Sequence, residues 1–178
     1  IPDWLTEQLP DPRSLAGKQA AILVMSDRAA TGDYEDESGP VLREALEQAG
    51  AEITAQQIIP DDAETIAETL QAICQKQKPD LLIAAGGTGP GPRDVTPDVL
   101  AEISDRMMDG LGDVLRAESL HYTDTAWLSR MTAGMVGATL VIALPGSPKA
   151  VRECWEVFSP FLADALEKIK KQGFEVKK

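Results

Sequence analysis

The chain reads as an α/β domain of three layers, a mostly parallel sheet with helices on both faces. Three observations predict this. Apolar runs at 20–26, 80–85 and 139–144 are nearly continuous, as in strands buried on both faces. Segments of helical period lie between the strands, so strands and helices alternate. Four strand ends lead into loops of glycine, proline, serine and aspartate. In a parallel sheet such loops lie along one carboxyl edge, and right-handed crossovers place the helices on both faces.

Residues 1–18, with Pro2, Pro10 and Pro12 among scattered charges, read as a tail or linker ahead of a domain at 19–178. The chain opens on Ile1 rather than methionine, as either a trimmed chain or a piece of a longer polypeptide would. After the 20–26 strand, a polar loop runs to Gly39-Pro40. Val41, Leu42, Ala45, Leu46 and Ala49 then recur at helical spacing, and Gly50 stops the helix. A strand over 52–59 ends at Pro60-Asp61-Asp62. Ile66, Leu70 and Ile73 give the next helix its apolar face, with Lys76 and Lys78 near its end.

The 80–85 strand follows, then a glycine-rich loop. Thr96-Pro97 reads as a helix start, with the Thr96 hydroxyl as cap and proline in the first turn. A helix over 108–118 points Leu111, Val114 and Leu115 inward. Residues 119–137 carry no clear period. The 139–144 strand ends in Pro145-Gly146-Ser147-Pro148, where Ser147 caps a helix bearing Val151, Trp155 and Phe158. Pro160 is expected to break or kink it before Phe161, Leu162, Ala165, Leu166 and Ile169 continue the apolar face.

With 178 residues, 43% hydrophobic and 26% charged, the chain has enough apolar material for one core without disulfides. Cys74 and Cys154 lie on helix faces and read as core residues in a reducing compartment. No apolar stretch reaches the length of a membrane span, and no signal-peptide pattern occurs, so the expected location is the cytoplasm. A formal charge of −12 argues against nucleic-acid binding. It also means that a phosphate ligand needs local cations, from Arg28, Arg93, Arg130 and Lys149 or from a divalent metal. One histidine, His121, builds no histidine-rich metal site and reads as a surface or interface residue.

The run Gly86-Gly87-Thr88-Gly89-Pro90-Gly91-Pro92-Arg93-Asp94-Val95-Thr96-Pro97 is the most informative segment. Closely spaced glycines between a strand and a helix permit φ > 0 and bring backbone N–H groups to a ligand. The helix start adds partial positive charge. This suits a phosphate. It is neither G-x-x-x-x-G-K-[ST] nor G-x-G-x-x-G, so the P-loop and dinucleotide fingerprints do not apply. Ser26-Asp27-Arg28, Pro60-Asp61-Asp62 and Pro145–Pro148 belong to the same sheet edge, where open α/β sheets bind ligands. Each has a plainer reading. Asp61 or Asp62 can cap the helix after Pro60, Asp94 can cap the helix near Pro97, and Asp27 can pair with Arg28. Asp33, Glu35, Asp36 and Glu37 read as a solvated charge run.

Together, Ser26-Asp27-Arg28, Pro60-Asp61, Gly86-Gly87-Thr88-Gly89 with Arg93-Asp94-Val95-Thr96-Pro97, Leu128-Ser129-Arg130 and Leu144–Lys149 resemble the molybdopterin-binding domain family. Within it they resemble the MogA-type molybdopterin adenylyltransferases, from about residue 19 to about 168. The resemblance implies molybdenum cofactor biosynthesis: molybdopterin attacks ATP at the α-phosphorus, with Mg²⁺ assisting, to give adenylyl-molybdopterin and pyrophosphate. It implies a homotrimer and a hand-off of product to a metal-insertion protein. Asp61 and Asp94 match carboxylates associated with catalysis and are assigned to Mg²⁺ and triphosphate orientation, one of them alternatively acting as a base. Gly86, Gly87, Thr88 and Gly89 would offer donors to phosphate. Ser26, Asp27, Ser129 and Arg130, with Pro145, Gly146, Ser147 and Pro148, are expected to contact pterin or nucleotide. Trp127, Met131 and Met135 are expected at the trimer interface. The competing reading is a MoaB-like module that binds molybdopterin, or serves as a scaffold, without catalysis.

Overall fold

The computed structural model describes residues 15–32 and 35–173. Six strands form one sheet: β1 (Gln19–Met25), β2 (Glu52–Ile59), β3 (Leu81–Ala85), β4 (Arg106–Met107), β5 (Thr132–Val136) and β6 (Thr139–Leu144). Their spatial order is β2-β1-β3-β6-β5-β4. The first four in that order are mutually parallel. β5 runs antiparallel to β6, and β4 antiparallel to β5. The helices are α1 (Asp27–Ala30), α2 (Ser38–Gln48), α3 (Ala63–Lys76), α4 (Thr96–Ile103), α5 (Asp109–Ser119) and α6 (Pro148–Lys171), with a 3₁₀ turn at Ala126–Leu128.

Side chains that alternate along the strands serve two cores, as the three-layer prediction requires. Ala20, Ile22, Val24, Ile83 and Ile142 pack with α2, α5 and α6 through Leu42, Leu46, Leu115, Phe158 and Leu162. Ala21, Leu23, Leu82, Ala84 and Val141 pack with α3 and α4 through Ile66, Leu70, Val99 and Leu100. Each fully buried leucine or isoleucine contributes about 1.5–3 kcal/mol relative to exposure. β1, β3 and β6, buried on both faces, are therefore a rigid base for their loops.

Register levels the strand ends. Met25 pairs with Ile59, Val24 with Ala85, and Ala85 with Leu144. Ser26 N–H then donates to Ile59 O at 2.9 Å, and Gly86 N–H to Leu144 O at 3.0 Å. Four loops therefore leave the sheet at one edge, as the sequence predicts.

Several details depart from expectation. Leu15 is already in the core and its N–H bonds Ala49 O, while the nearly buried Lys18 pairs with Glu167. Residues 1–14 of the expected tail lie outside the described residues. The unassigned 119–137 stretch contains β5, whose Gly134 lies so close to Ser104 that a Cβ there would sit 2.2 Å from its hydroxyl. That glycine removes the side-chain pattern by which a strand is recognised. Val114 is exposed whereas Leu115 is fully buried, so α5 turns its apolar stripe away from the predicted face. α6 runs unbroken through Pro160. The carbonyl that loses its partner belongs to Glu156, an exposed residue, so water can satisfy it. Met131 and Met135 are core residues, at 1% and 0% exposure, which removes them from any interface; Trp127 is 67% exposed. Cys74 and Cys154 are buried as expected, and burial pushes their thiols up to about 11 and about 12. Among the described residues, no helix is long and apolar enough to cross a membrane.

Candidate active site

The glycine-rich loop starts where β3 ends, and its first two residues have no alternative. Gly86 has φ of 118°, and a Cβ there would lie 2.2 Å from the Met25 carbonyl oxygen. Gly87 has φ of 61°, and its Cβ would lie 2.5 Å from Thr96 Oγ1 and 3.2 Å from Asp61 Oδ1. The Met25 backbone closes on Gly86, and the Thr96 and Asp61 side chains close on Gly87, so both positions require glycine.

Farther along, the loop folds around Asp94. Gly91 N–H donates to Asp94 Oδ2 at 2.9 Å. Arg130 fastens the loop from outside. Its backbone N–H donates to Thr88 O at 2.7 Å, its Nε to Gly89 O at 3.1 Å, its Nη2 to Asp94 O, and its Nη1 to Asp98 at 2.8 Å. The Arg130 guanidinium is committed to holding the loop, whereas the sequence suggested a ligand contact. Thr96 does not cap α4. The cap position is Val95, no side chain bonds it, and the buried Thr96 hydroxyl has no partner among the described residues.

At the ends of β1 and β2, Asp27 and Asp61 exchange bonds. Asp27 N–H donates to Asp61 Oδ2 at 3.2 Å, and Asp61 N–H donates to Asp27 Oδ1 at 3.0 Å. The other Asp27 oxygen accepts from Arg93 Nη2 at 2.5 Å, so its partner is Arg93 and not its neighbour Arg28. Ser26 caps α1, accepting from Ala29 N–H at 3.2 Å. Asp62 caps α3 through Thr65 N–H at 2.9 Å and the Thr65 hydroxyl at 2.7 Å, which hold its carboxyl below the usual range. Asp61 is thus spared from capping. Its carboxyl is raised above the ordinary value, first by burial. The nearby Asp27 and Asp94 charges add to the rise, and the Asp27 N–H and Arg93 oppose it.

The loop after β6 completes the enclosure. Ser147 caps α6 by accepting from Ala150 N–H at 3.2 Å, with Pro148 in the first turn, as predicted. Gly146 O accepts from the buried Ser38 hydroxyl at 2.6 Å. Asp36 receives Ser38 N–H at 2.9 Å and Gly39 N–H at 3.0 Å. Asp36 and Glu37 line the cleft, although Glu35 and Glu37 are exposed as a solvated run would be; Asp33 lies outside the described residues.

These parts surround a cleft of about 730 Å³. Ser26, Asp61, Gly86, Gly87, Thr88, Gly89, Asp94, Ser129, Pro145, Gly146, Ser147 and Pro148 all line it. Of the predicted residues, Asp27 and Arg130 do not; they hold Arg93, Asp61 and the loop in place. Sequence reasoning missed Ser38. Its only signal was a serine just ahead of Gly39-Pro40, and its hydrogen-bond partner is 108 positions away. Among the described residues, no three or more His, Cys, Asp or Glu side chains are grouped to hold a metal. Asp61 and Asp94 fit a hard divalent cation only as a pair, with substrate phosphates supplying further ligands.

Comparison with known proteins agrees with this geometry. The family described as "Probable molybdopterin binding domain" matches residues 21–164. A Helicobacter pylori protein named molybdopterin adenylyltransferase is 37% identical over 150 residues, covering 83% of this chain and 85% of its own. The Mog protein of Mycobacterium ulcerans, described as a molybdopterin biosynthesis protein, superimposes with a TM-score of 0.81 at 37% identity, covering 86% of this chain and 99% of that one. The molybdopterin biosynthesis enzyme MoaB of Thermus thermophilus does so with a TM-score of 0.80 at 36% identity, covering 89% and 99%.

Proposed function

This chain belongs to the molybdopterin-binding domain family, and from that premise we propose that it transfers the adenylyl group of ATP to molybdopterin in molybdenum cofactor biosynthesis. The observation that carries the proposal is the freedom of two aspartates. Asp62 and not Asp61 caps α3, and α4 has no side-chain cap, so neither Asp61 nor Asp94 is needed to start a helix. Both carboxylates nonetheless line one cleft over a glycine floor. Binding a pterin phosphate alone would not require two acidic groups beside its anion.

In this reading, a phosphate oxygen of molybdopterin bonds to the α-phosphorus of ATP as the bond to the pyrophosphate oxygen breaks. Nucleotidyl transfer of this kind rests on positioning and charge neutralisation. The Gly86–Gly89 backbone cradles phosphate, and Ser26, Ser129 and Ser147 offer polar contacts at the rim. Asp61 and Asp94 would hold Mg²⁺, which supplies charge neutralisation at the phosphates. The attacking phosphate is already largely ionised near neutral pH, so no strong base is needed. The expected assembly is a homotrimer in the cytoplasm, with exposed Trp127 as an interface residue and a metal-insertion protein receiving the product.

The test is incubation with molybdopterin, ATP and Mg²⁺. Adenylyl-molybdopterin and pyrophosphate in equal amounts are expected. Tight molybdopterin binding with no product over hours would replace this reading with the non-catalytic module.

A further inference from the structure

The buried Thr96 hydroxyl stands apart from the machinery described so far. Thr96 is 0% exposed, and its Oγ1 makes no hydrogen bond among the described residues. A buried hydroxyl in that state is destabilising, and valine would fill the same space without it. Its placement is tightly fixed. Thr96 N–H donates to Gly87 O at 3.1 Å, and Oγ1 rests against Gly87. The point where a Gly87 Cβ would stand is 2.5 Å from Thr96 Oγ1 and 3.2 Å from Asp61 Oδ1. Both oxygens thus lie beside one point over Gly87 that no side chain fills.

We propose that Thr96 is a positioning residue for Asp61, its hydroxyl donating to the Asp61 carboxylate when ligand occupies the cleft. The hydroxyl makes no hydrogen bond among the described residues and so is available to donate. The Thr96 backbone is already held by Gly87, so only side chains would have to move. Gly87 gains a second role, since any side chain there would enter the space between the two oxygens. The assignment rests on the proposed function for what Asp61 does, and on geometry alone for the partner of Thr96.

The experiment compares Thr96→Val with Thr96→Ser. Melting temperature of the ligand-free protein is read first. Valine should leave it unchanged or raise it, because an unsatisfied hydroxyl is removed; a clear fall would show a hydroxyl already partnered for stability and overturn the proposal. Turnover is read next, with a fall of about tenfold to a hundredfold expected in kcat for valine, little change in KM, and recovery with serine. Binding of Mg²⁺ with inorganic tripolyphosphate, followed by thermal shift, reads the cleft even where adenylyl transfer is not its chemistry. Its expected result is a smaller shift for valine than for wild type or serine. Wild-type turnover and an undiminished tripolyphosphate shift in Thr96→Val would overturn the role of Thr96. A wild-type protein with no turnover would overturn the adenylyltransferase reading instead, and leave the role of Thr96 to the melting and tripolyphosphate arms.

Discussion

Arg130 is a residue for which sequence and structure give different roles, and Arg130→Met separates them. Methionine keeps much of the stem and removes the guanidinium. The lost ion pair to Asp98 joins side chains 39% and 62% exposed, so it contributes only about 0.2–1 kcal/mol. The bonds to Gly89 O and Asp94 O matter more. A charged donor on a carbonyl contributes about 1.5–3 kcal/mol when shielded, and these half-buried carbonyls sit toward the lower end. The expected loss is about 3–4 kcal/mol. For a domain of this size that lowers Tm by roughly 6–16 °C. The functional effect follows from the loop. Released from Arg130, the Gly89–Asp94 segment shifts, and a misplacement near 1 Å at a reacting centre costs about a hundredfold in rate.

The assay is calorimetry alongside steady-state adenylylation with ATP varied. A loop clamp predicts a lower Tm and a lower kcat, with a modest change in KM. Arg130→Lys should recover little, since a single ammonium does not reproduce the guanidinium fork. Asp98→Asn should stay within about 1 kcal/mol of wild type with turnover intact. A wild-type Tm with KM for ATP raised tenfold would refute the clamp and restore the direct substrate contact.

Asp61→Asn and Asp94→Asn should each lower turnover about 10²–10³-fold while molybdopterin still binds, with Tm within a few degrees of wild type. Asparagine can still accept the Asp27 and Gly91 N–H bonds, and near-normal turnover with saturating Mg²⁺ would make these aspartates structural. Glu167 is held below its ordinary value of 4.5 by Lys18, so the pair stabilises the fold above that pH and loses its effect as pH falls through the folded value. Glu167→Gln should therefore lower Tm at pH 7, by an amount that shrinks as pH falls below 4.5; a deficit independent of pH would rule out the ion pair as cause. Cys74 and Cys154 should resist iodoacetamide at pH 8 in the folded protein and react once denatured, as mass spectrometry would show.

Much of the fold was legible because its central strands are buried on both faces. Such strands need unbroken apolar runs, and β1, β3 and β6 have them. The loops were legible because glycine at 86 and 87, and serine before proline at 147–148, answer local backbone demands. What stayed hidden depends on distant neighbours. β5 gains its strand character from pairing with β4 and β6, and its glycine fits because Ser104 fills the space. Asp27 stands beside Arg28 in sequence but is paired with Arg93, 66 positions away. Arg130 looked like a ligand residue because it follows Ser129 near the end of a loop; its acceptors lie 32 to 41 positions back. Sequence pattern identifies a basic residue near a loop, but not whether its charge is already used.

That last distinction bears on how a chain of formal charge −12 accepts a polyanion. Arg93 is bound to Asp27, and Arg130 is bound to Asp98 and two carbonyls, so these two guanidiniums bring little free positive charge to the cleft. Lys149 is beside Glu153 at 3.7 Å. Against them stand Asp36, Glu37, Asp61 and Asp94 along the same walls. Arg28 also lines the cleft, but these four carboxylates along its walls would still disfavour a bare triphosphate. In the proposed reaction, a triphosphate that arrives with its own divalent cation would present that cation to Asp61 and Asp94, with its oxygens toward the glycine loop. The acidic walls would then favour the complex over free nucleotide. Selectivity for the metal-bound form is therefore an expectation of the proposal: wild-type protein should bind tripolyphosphate more tightly with Mg²⁺ than without it, and equal affinity in both conditions would refute it.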